Sequence, residues 1–254
     1  MVILALDTTT PEGSLAIARD GVLLADKVGD SANTHGQRLP GEVTNLLMIH
    51  GLSLRSVDVF VVCSGPGSFT GLRVGLATIQ AFALAHGRSI VPVPALEALA
   101  YLAITASERP ETDFIGSIMD AHRGEVFAAL YAPPSDEKNK SNIQGCARLF
   151  PTLNPLVSAA VGQLEPVLVD WQAALGGRSV YLVGRGTAEA AMSLEAKMGS
   201  RPCVLADPPP LAPIMTRIGA ARAMAGKAIK PHAVRPIYVR RSDAELARER
   251  RPRR

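Results

Sequence analysis

The sequence predicts an α/β protein of two lobes, each built on a mixed sheet flanked by helices. Short runs rich in Val, Ile and Leu alternate with segments of helical period, which is the pattern of layered α/β domains. The whole pattern starts again near Asp113. With 254 residues, 47% of them hydrophobic and 20% charged, the chain is long and apolar enough to bury two cores.

The first predicted lobe covers residues 1–108 and opens with an antiparallel meander. Turn residues separate three apolar runs there, which favours strands joined by hairpins. Strands are predicted near 2–6, 13–19, 21–28, 57–63 and 89–93, and helices near 37–50, 70–86 and 94–106.

The second predicted lobe covers residues 109–239 and also opens with a hairpin. Strands are predicted at 113–120, 125–131 and 179–183, helices at 187–199 and 212–226, and an extended end at 236–239. A polar, proline-capped stretch over 133–142 predicts a flexible loop between strands. Because each lobe opens with a hairpin that carries an acidic turn, the sequence suggests a duplicated unit.

The positive charge is concentrated in a predicted basic tail, residues 240–254. These residues hold seven arginines against Asp243, Glu245 and Glu249, so the remaining chain has 20 basic and 20 acidic residues. Aromatic residues make up only 4% of the chain. A neutral body with few aromatic rings disfavours direct RNA binding outside the tail.

The beginning of the chain has neither the basic region nor the long apolar stretch of a signal peptide. We therefore expect a cytoplasmic protein with no membrane association. Its three cysteines, Cys63, Cys146 and Cys203, are odd in number and widely spaced, which fits buried thiols in a reducing compartment.

Three short motifs predict a nucleotide cleft between the lobes. Asp7 ends a strand and is followed by the hydroxyl residues Thr8 and Thr9, which suit a phosphate, while Asp7 suits a magnesium ion. A second acidic turn begins at Asp120. In the turn at 184–186, Gly184 and Gly186 would let a base approach the backbone, so ATP or ADP with Mg²⁺ is a candidate weak ligand, although none is expected to be required. Together the motifs predict the actin-like ATPase (ASKHA, ribonuclease H-like) architecture.

The glycine-rich string at residues 64–75 predicts a sharp crossing from a strand into a helix. Either Ser68 or Thr70 can cap that helix. A nucleophilic serine would need a glycine two residues earlier, where this chain has Pro66, so a peptidase is the weakest alternative. The five histidines are never three or four residues apart, which argues against a helical metal site.

Several of these strings, in this order, resemble the bacterial TsaB (YeaZ) family. They are residues 7–9, 35–40, 65–73, 96–100 and 120–127, with looser matches at 184–186 and 236–240. The resemblance implies a non-catalytic subunit in the synthesis of N6-threonylcarbamoyladenosine at position 37 of tRNA. It also implies TsaD and TsaE as partners, a homodimer when TsaD is absent, and contact with tRNA mainly through the complex.

The comparison with the TsaD paralogue bears on catalysis. TsaD carries a metal-binding Asn-His-x-Glu-Gly-His segment, and this chain has Ala95 and Leu99 where the two histidines would stand. Neither side chain binds a metal. The resemblance therefore implies an inactive paralogue, and an independent ATP-dependent kinase or carbamoyl transferase remains the alternative.

The helix near 70–86 is apolar on nearly all sides, with no charge between Arg73 and Arg88. Such a helix has to be covered on both sides, either within its own lobe or by a partner lobe that packs on it and on the helix near 37–50. The family resemblance favours the partner surface. The expected docking residues are Leu39, Val43, Leu47, Val74, Ala77 and Ala81.

Overall fold

The computed structural model describes residues 1–107, 111–133, 150–198 and 202–240. The first sheet has the strand order β3-β2-β1-β4-β5. Its strands are β1 (Val2–Asp7), β2 (Ser14–Arg19), β3 (Val22–Val28), β4 (Val59–Gly65) and β5 (Ser89–Pro94). The first three strands form the antiparallel meander that the sequence predicts, and β4 and β5 extend the sheet in parallel.

Three helices follow the first strands. They are α1 (His35–Ile49), α2 (Phe69–Ala85) and α3 (Ala95–Thr105). The Ser68 hydroxyl accepts the backbone N–H of Gly71 at 3.2 Å, so Ser68 is the one of the two predicted candidates that caps α2. At α1, the Gln37 side chain accepts the backbone N–H of Thr34 at 3.1 Å in a capping box.

The second sheet repeats the order of the first, as β8-β7-β6-β9-β10. Its strands are β6 (Phe114–Asp120), β7 (Glu125–Tyr131), β8 (Pro155–Gln163), β9 (Val180–Gly184) and β10 (Cys203–Leu205). Its helices are α4 (Leu164–Leu175), α5 (Thr187–Met198) and α6 (Leu211–Met224). Each lobe therefore follows the same element order, which confirms the duplicated unit and the two-lobed α/β fold.

The last helix of each half packs against the sheet of the other half. Helix α6 lies on the first sheet, where the Ser14 hydroxyl accepts the backbone N–H of Ala212 at 3.1 Å. Helix α3 lies on β6 and β9. Where the two helices meet, Arg222 and Glu97 form a buried ion pair. This exchange joins the two lobes through a continuous core.

A carboxyl-terminal segment, residues 229–240, returns from α6 to the first lobe. Val234 is buried in the first core, and the backbone N–H of Ile237 donates to the Ser64 carbonyl at 2.7 Å. Arg240 then reaches the second lobe and donates to the Ala121 carbonyl at 2.8 Å. The extended end predicted at 236–239 is part of this segment.

Part of the predicted loop, the predicted basic tail and one cysteine lie outside the residues that the structure describes. Residues 134–142 of the predicted loop, residues 241–254 of the predicted basic tail and Cys146 lie beyond the described ranges. Within the described ranges, none of the helices combines the length and the apolar character needed to cross a membrane.

Candidate functional site

The acidic strand ends of the two lobes face a shared cleft. Asp7 ends β1 and Asp120 ends β6, the equivalent strand of the second lobe. A cavity of about 390 Å³ lies between them. Its lining comprises Asp7, Thr9–Ser14, Val28, Leu99, Ile118–Asp120, His122, Gly184, Arg185 and Asp207–Leu211. The structure thus brings the first and second predicted acidic turns together with the glycine turn.

The Asp7 carboxylate is largely enclosed by protein groups. Its Oδ1 accepts the backbone N–H of Thr9 at 2.9 Å and the Thr9 hydroxyl at 2.7 Å, and only 4% of the residue is exposed. Burial raises the pKa of Asp7, and the bonds from Thr9 oppose that shift only in part. Burial also raises the pKa of the neighbouring Cys63 thiol. A magnesium ion would have to displace bonds that Asp7 already makes.

Thr8 does not reach the cleft. Its side chain is fully buried beneath α2, where a Cβ on Gly75 would stand 2.2 Å from the Thr8 hydroxyl oxygen. A Cβ on Gly71 would likewise stand 2.2 Å from the Thr8 carbonyl oxygen. Thr8 is therefore a packing residue under the glycine-rich helix, which corrects the expectation that it holds a phosphate.

The turn glycines have different surroundings. At Gly184, φ is +117° and a Cβ would stand 1.9 Å from the Ile118 carbonyl oxygen, so packing between β9 and β6 requires glycine there. Gly186 has φ +91° but does not line the cavity. Glycine at 184 thus has a structural reason that is independent of any nucleotide base.

The charge of the cleft does not suit a triphosphate. The described lining residues include four carboxyl groups, of Asp7, Glu12, Asp120 and Asp207, against the guanidinium of Arg185. Phosphate sites are normally built from cations and backbone N–H groups. Over the described ranges, no group of three His, Cys, Asp or Glu side chains is placed to hold a metal ion that would offset these carboxylates. The residues present therefore do not fit ATP with Mg²⁺, and we derive no chemical step from it.

A second cavity, of about 710 Å³, adjoins the first at the His122 turn and has the opposite charge. It lies between the start of α2, the β6–β7 turn and the carboxyl-terminal segment. Its lining comprises Pro66–Thr70, Arg73, His122, Arg123, Phe127 and Ile237–Arg240. Sequence reasoning missed this site because its three arginines come from distant parts of the chain.

The expected docking residues divide between core and surface. Leu39, Val43 and Leu47 are at most 1% exposed and pack inside the first lobe, so they do not form a surface for a partner. This corrects the expectation that these three residues of α1 form a docking surface, because they face the core. Ala77 and Ala81 of α2 are exposed, whereas Val74 is half-buried.

Both helices, which pack against each other, carry exposed apolar side chains that we call the apolar ridge. We define the ridge by Met48 and Ile49 of α1 and Ala77, Ala81 and Leu84 of α2. Met48, Ile49 and Leu84 are 68%, 75% and 71% exposed. Large apolar side chains that remain this exposed are candidates for contact with another protein.

Two further sequence expectations concern reactive groups. Ala95 and Leu99, at the positions of the TsaD histidines, are buried at the start of α3. Cys63 is a buried free thiol as expected, but Cys203 is exposed on β10, which corrects the expectation that it is buried.

The fold and this cleft define the class of protein. Two sheets of the same strand order, exchanged final helices and a cleft between paired acidic strand ends constitute the actin-like, ribonuclease H-like architecture. Similar solved structures include two YeaZ chains from Pseudomonas aeruginosa, both 27% identical. One, described as an uncharacterized protein with similarity to peptidase YEAZ, has a TM-score of 0.71 and covers 94% of this chain and 99% of its own. The other has a TM-score of 0.69 and covers 93% and 99%.

Sequence comparisons identify the family. The family TsaD, described as tRNA N6-adenosine threonylcarbamoyltransferase, matches residues 29–164, just over half of the chain. The tRNA threonylcarbamoyladenosine biosynthesis protein TsaB of Bacillus subtilis is 26% identical and covers 96% of both chains. Its Escherichia coli namesake is 33% identical over 131 residues, which cover 52% of this chain and 55% of that protein. The chain belongs to the TsaB (YeaZ) family, within the wider family that includes TsaD.

Proposed function

We propose that this chain is a non-catalytic subunit in the biosynthesis of N6-threonylcarbamoyladenosine in tRNA, where it binds and supports a TsaD transferase. The names of the relatives from Bacillus subtilis and Escherichia coli support the pathway. The structural observation that carries the proposal is the exposed apolar ridge on α1 and α2.

The ridge suits a partner of the same fold. Alanines at 77 and 81 are four residues apart and so lie on one stripe of α2, where small side chains let another helix approach closely. Leu84 continues the stripe, and α1, which packs against α2, adds the exposed apolar side chains of Met48 and Ile49. A TsaD lobe carries the equivalent two helices, so pairing would form a helical bundle related by a pseudo-twofold axis.

Two features support a role without chemistry of its own. Ala95 and Leu99 replace the two metal-binding histidines of TsaD and are packed in the core. The cleft is acidic, which disfavours the independent kinase or carbamoyl transferase alternative. The subunit would act by stabilising TsaD, and tRNA would be contacted mainly through the assembled complex.

A homodimer follows from the same surface. When TsaD is absent, two copies of this chain would pair through the ridge, because pairing removes apolar side chains from water. TsaE is a further proposed partner, on the family resemblance alone.

A charge on the ridge tests this proposal. The chain is co-expressed with TsaD from the same organism, and complex formation is measured by size-exclusion chromatography. Ala77→Glu and Ala81→Glu should lower the affinity by about tenfold or more each, because a carboxylate without a partner would be buried at the interface. Both side chains are exposed in the free chain, so thermal unfolding of the free protein should remain close to wild type.

The matched controls use the same substitution elsewhere. Ala196 is exposed on α5, the counterpart of α2, and Ala196→Glu should leave the complex intact. Leu76→Glu, in the core, should instead unfold the chain. The proposal is wrong if the two ridge variants bind TsaD like wild type. It is equally wrong if a TsaB-depleted strain that expresses this chain fails to restore the modified nucleoside in its tRNA.

A further inference from the structure

The larger cavity, of about 710 Å³, has a lining rich in arginine. Arg73 comes from α2, Arg123 from the β6–β7 turn and Arg240 from the carboxyl-terminal segment. The described lining residues include no Asp or Glu. We call this cavity the arginine groove. Although the chain outside the predicted tail is neutral on average, folding concentrates positive charge at this point.

Aromatic contacts hold the guanidinium group of Arg73 in place. Its Cζ lies 3.9 Å from the centre of the Phe69 ring, and its Nε donates to the Tyr238 hydroxyl at 3.0 Å. The Phe69 and Tyr238 rings are themselves 4.9 Å apart. Arginine held against aromatic faces is a common arrangement for binding phosphates and for stacking on bases.

The backbone at Arg123 is in an unusual conformation. His122 and Arg123 have φ values of 61° and 59°, a left-handed region that non-glycine residues seldom occupy. The turn is closed by the Ala121 N–H, which donates to the Glu125 carbonyl at 2.9 Å. Arg240 supports the turn through its bond to the Ala121 carbonyl and its ion pair with Glu125. The folded chain thus keeps Arg123 at the edge of the groove despite a costly backbone geometry.

We infer that the arginine groove binds the phosphate backbone of a single-stranded RNA segment, with one base stacked on the exposed ring of Tyr238. The cavity volume lies within the range of sites for small ligands, so it accommodates one or two nucleotides. The positive end of α2 adds to the attraction for phosphate.

RNA is favoured over an acidic peptide because the groove combines cations with the exposed aromatic ring of Tyr238. Stacking on a ring is available to every base, whereas a carboxylate side chain gains nothing from a ring face. The chain also continues beyond Arg240 into a sequence with six further arginines and three acidic residues, a net positive charge that favours a polyanion. The inference rests on the proposed function only for the identity of the RNA, a tRNA.

Fluorescence anisotropy with a labelled single-stranded RNA of about 12 nucleotides tests the groove directly. Arg73→Gln and Arg123→Gln should each weaken binding by about tenfold, the usual effect of one lost charged hydrogen bond. Each should also lower the slope of log affinity against log salt by about 0.7. The control Arg19→Gln removes an exposed arginine on β2, outside the groove, and should change neither quantity by as much.

Two more variants test whether the groove itself, and not the aromatic hydroxyl or the tail, accounts for RNA binding. Tyr238→Phe keeps the ring but removes the bond to Arg73, and it should retain most of the affinity. Deletion of residues 241–254 should weaken binding further without removing the effect of Arg73→Gln.

Three results would overturn the inference. The first is a loss of RNA affinity in Arg19→Gln equal to that in the groove variants, which would indicate diffuse surface charge. The second is unchanged RNA affinity in both groove variants. The third is displacement of the RNA by polyglutamate at equal charge, which would indicate a site for acidic peptides. TsaD binding is measured in parallel. Groove variants that bind RNA more weakly but bind TsaD normally would support the RNA site. Ridge variants that bind TsaD more weakly but bind RNA normally would show that the two proposals concern separate surfaces.

Discussion

Gly75 of α2 lies directly on Thr8, so that a Cβ at position 75 would stand 2.2 Å from the Thr8 hydroxyl oxygen and 3.0 Å from its methyl carbon. The contact joins two segments that are far apart in the sequence, the acidic turn after β1 and the glycine-rich helix. Because Thr8 is fully buried, neither group has room to move.

Gly75→Ala should therefore destabilise the chain, by about 1–3 kcal/mol of unfolding free energy, as overpacked cores generally do. Thr8→Ala removes the hydroxyl oxygen and the methyl carbon, the two nearest of the three Thr8 atoms that the new Cβ would meet, so the double variant should recover part of the loss. Urea denaturation measures all three variants. Gly41→Ala, at an open position of α1, is the control and should be neutral or slightly stabilising. Additive losses in the double variant would show that the contact is not the cause.

The ion pair between Glu97 and Arg222 joins α3 to α6 with both side chains buried. Glu97 also accepts the backbone N–H of Leu153 at 2.7 Å. Glu97→Gln leaves a guanidinium group buried without its counter-charge, so unfolding free energy should fall by about 3–5 kcal/mol. Replacing both partners, with Glu97→Leu and Arg222→Met, should be milder. In contrast, Glu165→Gln at the exposed pair with Lys197 should have little effect. The expectation fails if the surface and buried variants behave alike.

His35 predicts a pH dependence of stability. Its Nε2 lies 2.9 Å from the Thr10 carbonyl oxygen and its Nδ1 lies 2.8 Å from Arg38 Nη2, so the neutral ring donates to the first and accepts from the second. Burial lowers the pKa of His35, although the Thr10 bond opposes that shift. The unfolded chain therefore binds a proton more readily, and stability should decrease as pH falls below about 6.5.

The measurement compares wild type with His35→Gln by urea denaturation between about pH 7.5 and about pH 5. The stability advantage of wild type should be largest at the higher pH and should shrink towards the lower pH. Carboxylates that do not interact with His35 contribute equally to both proteins and cancel in the difference. A difference that stays constant with pH would contradict the role assigned to His35.

Asp7 provides a test of the acidic cleft. Since burial raises the pKa of Asp7, the ionised side chain destabilises the fold, and stability contributed by this group should decrease as pH rises above 3.8. Asp7→Asn keeps an oxygen that accepts the two bonds from Thr9. Its melting temperature near neutral pH should equal or exceed that of wild type, and the gain should disappear in acid.

Activity measurements distinguish a structural role of Asp7 from the kinase alternative. If Asp7 has only a structural role, Asp7→Asn should still support formation of the modified nucleoside in a TsaB-depleted strain, and the purified wild-type protein should not turn over ATP. Steady ATP turnover that Asp7→Asn abolishes would favour the kinase alternative.

Local sequence patterns were sufficient for most of the secondary structure. The strands of the meander and the helices α1, α2 and α3 form close to their predicted positions because hydrophobic period, turn residues and a capping serine all act within a few residues. The strand β8, the helix α4 and the short strand β10 were not predicted. All residues of β8 and β10 are exposed or half-buried, so their hydrophobic pattern is weak. The apolar spacing of Val167, Leu168, Trp171 and Leu175 does indicate a helix, so α4 had a local signal that sequence reasoning missed.

The sequence by itself determined the two repeated lobes, the acidic turns at the strand ends and the absence of metal-binding side chains at Ala95 and Leu99, because these follow from residue identity and spacing. Only the tertiary structure decided what the apolar stripe of α1 contacts. An apolar stripe such as that of Leu39 has the same sequence pattern whether it packs in the core or binds a partner. The tertiary structure also decided the exchange of α3 and α6, and the meeting of Arg73, Arg123 and Arg240. Residues so distant in the chain have no local signal of their proximity, and only the packing of the two lobes brings their charges to one groove.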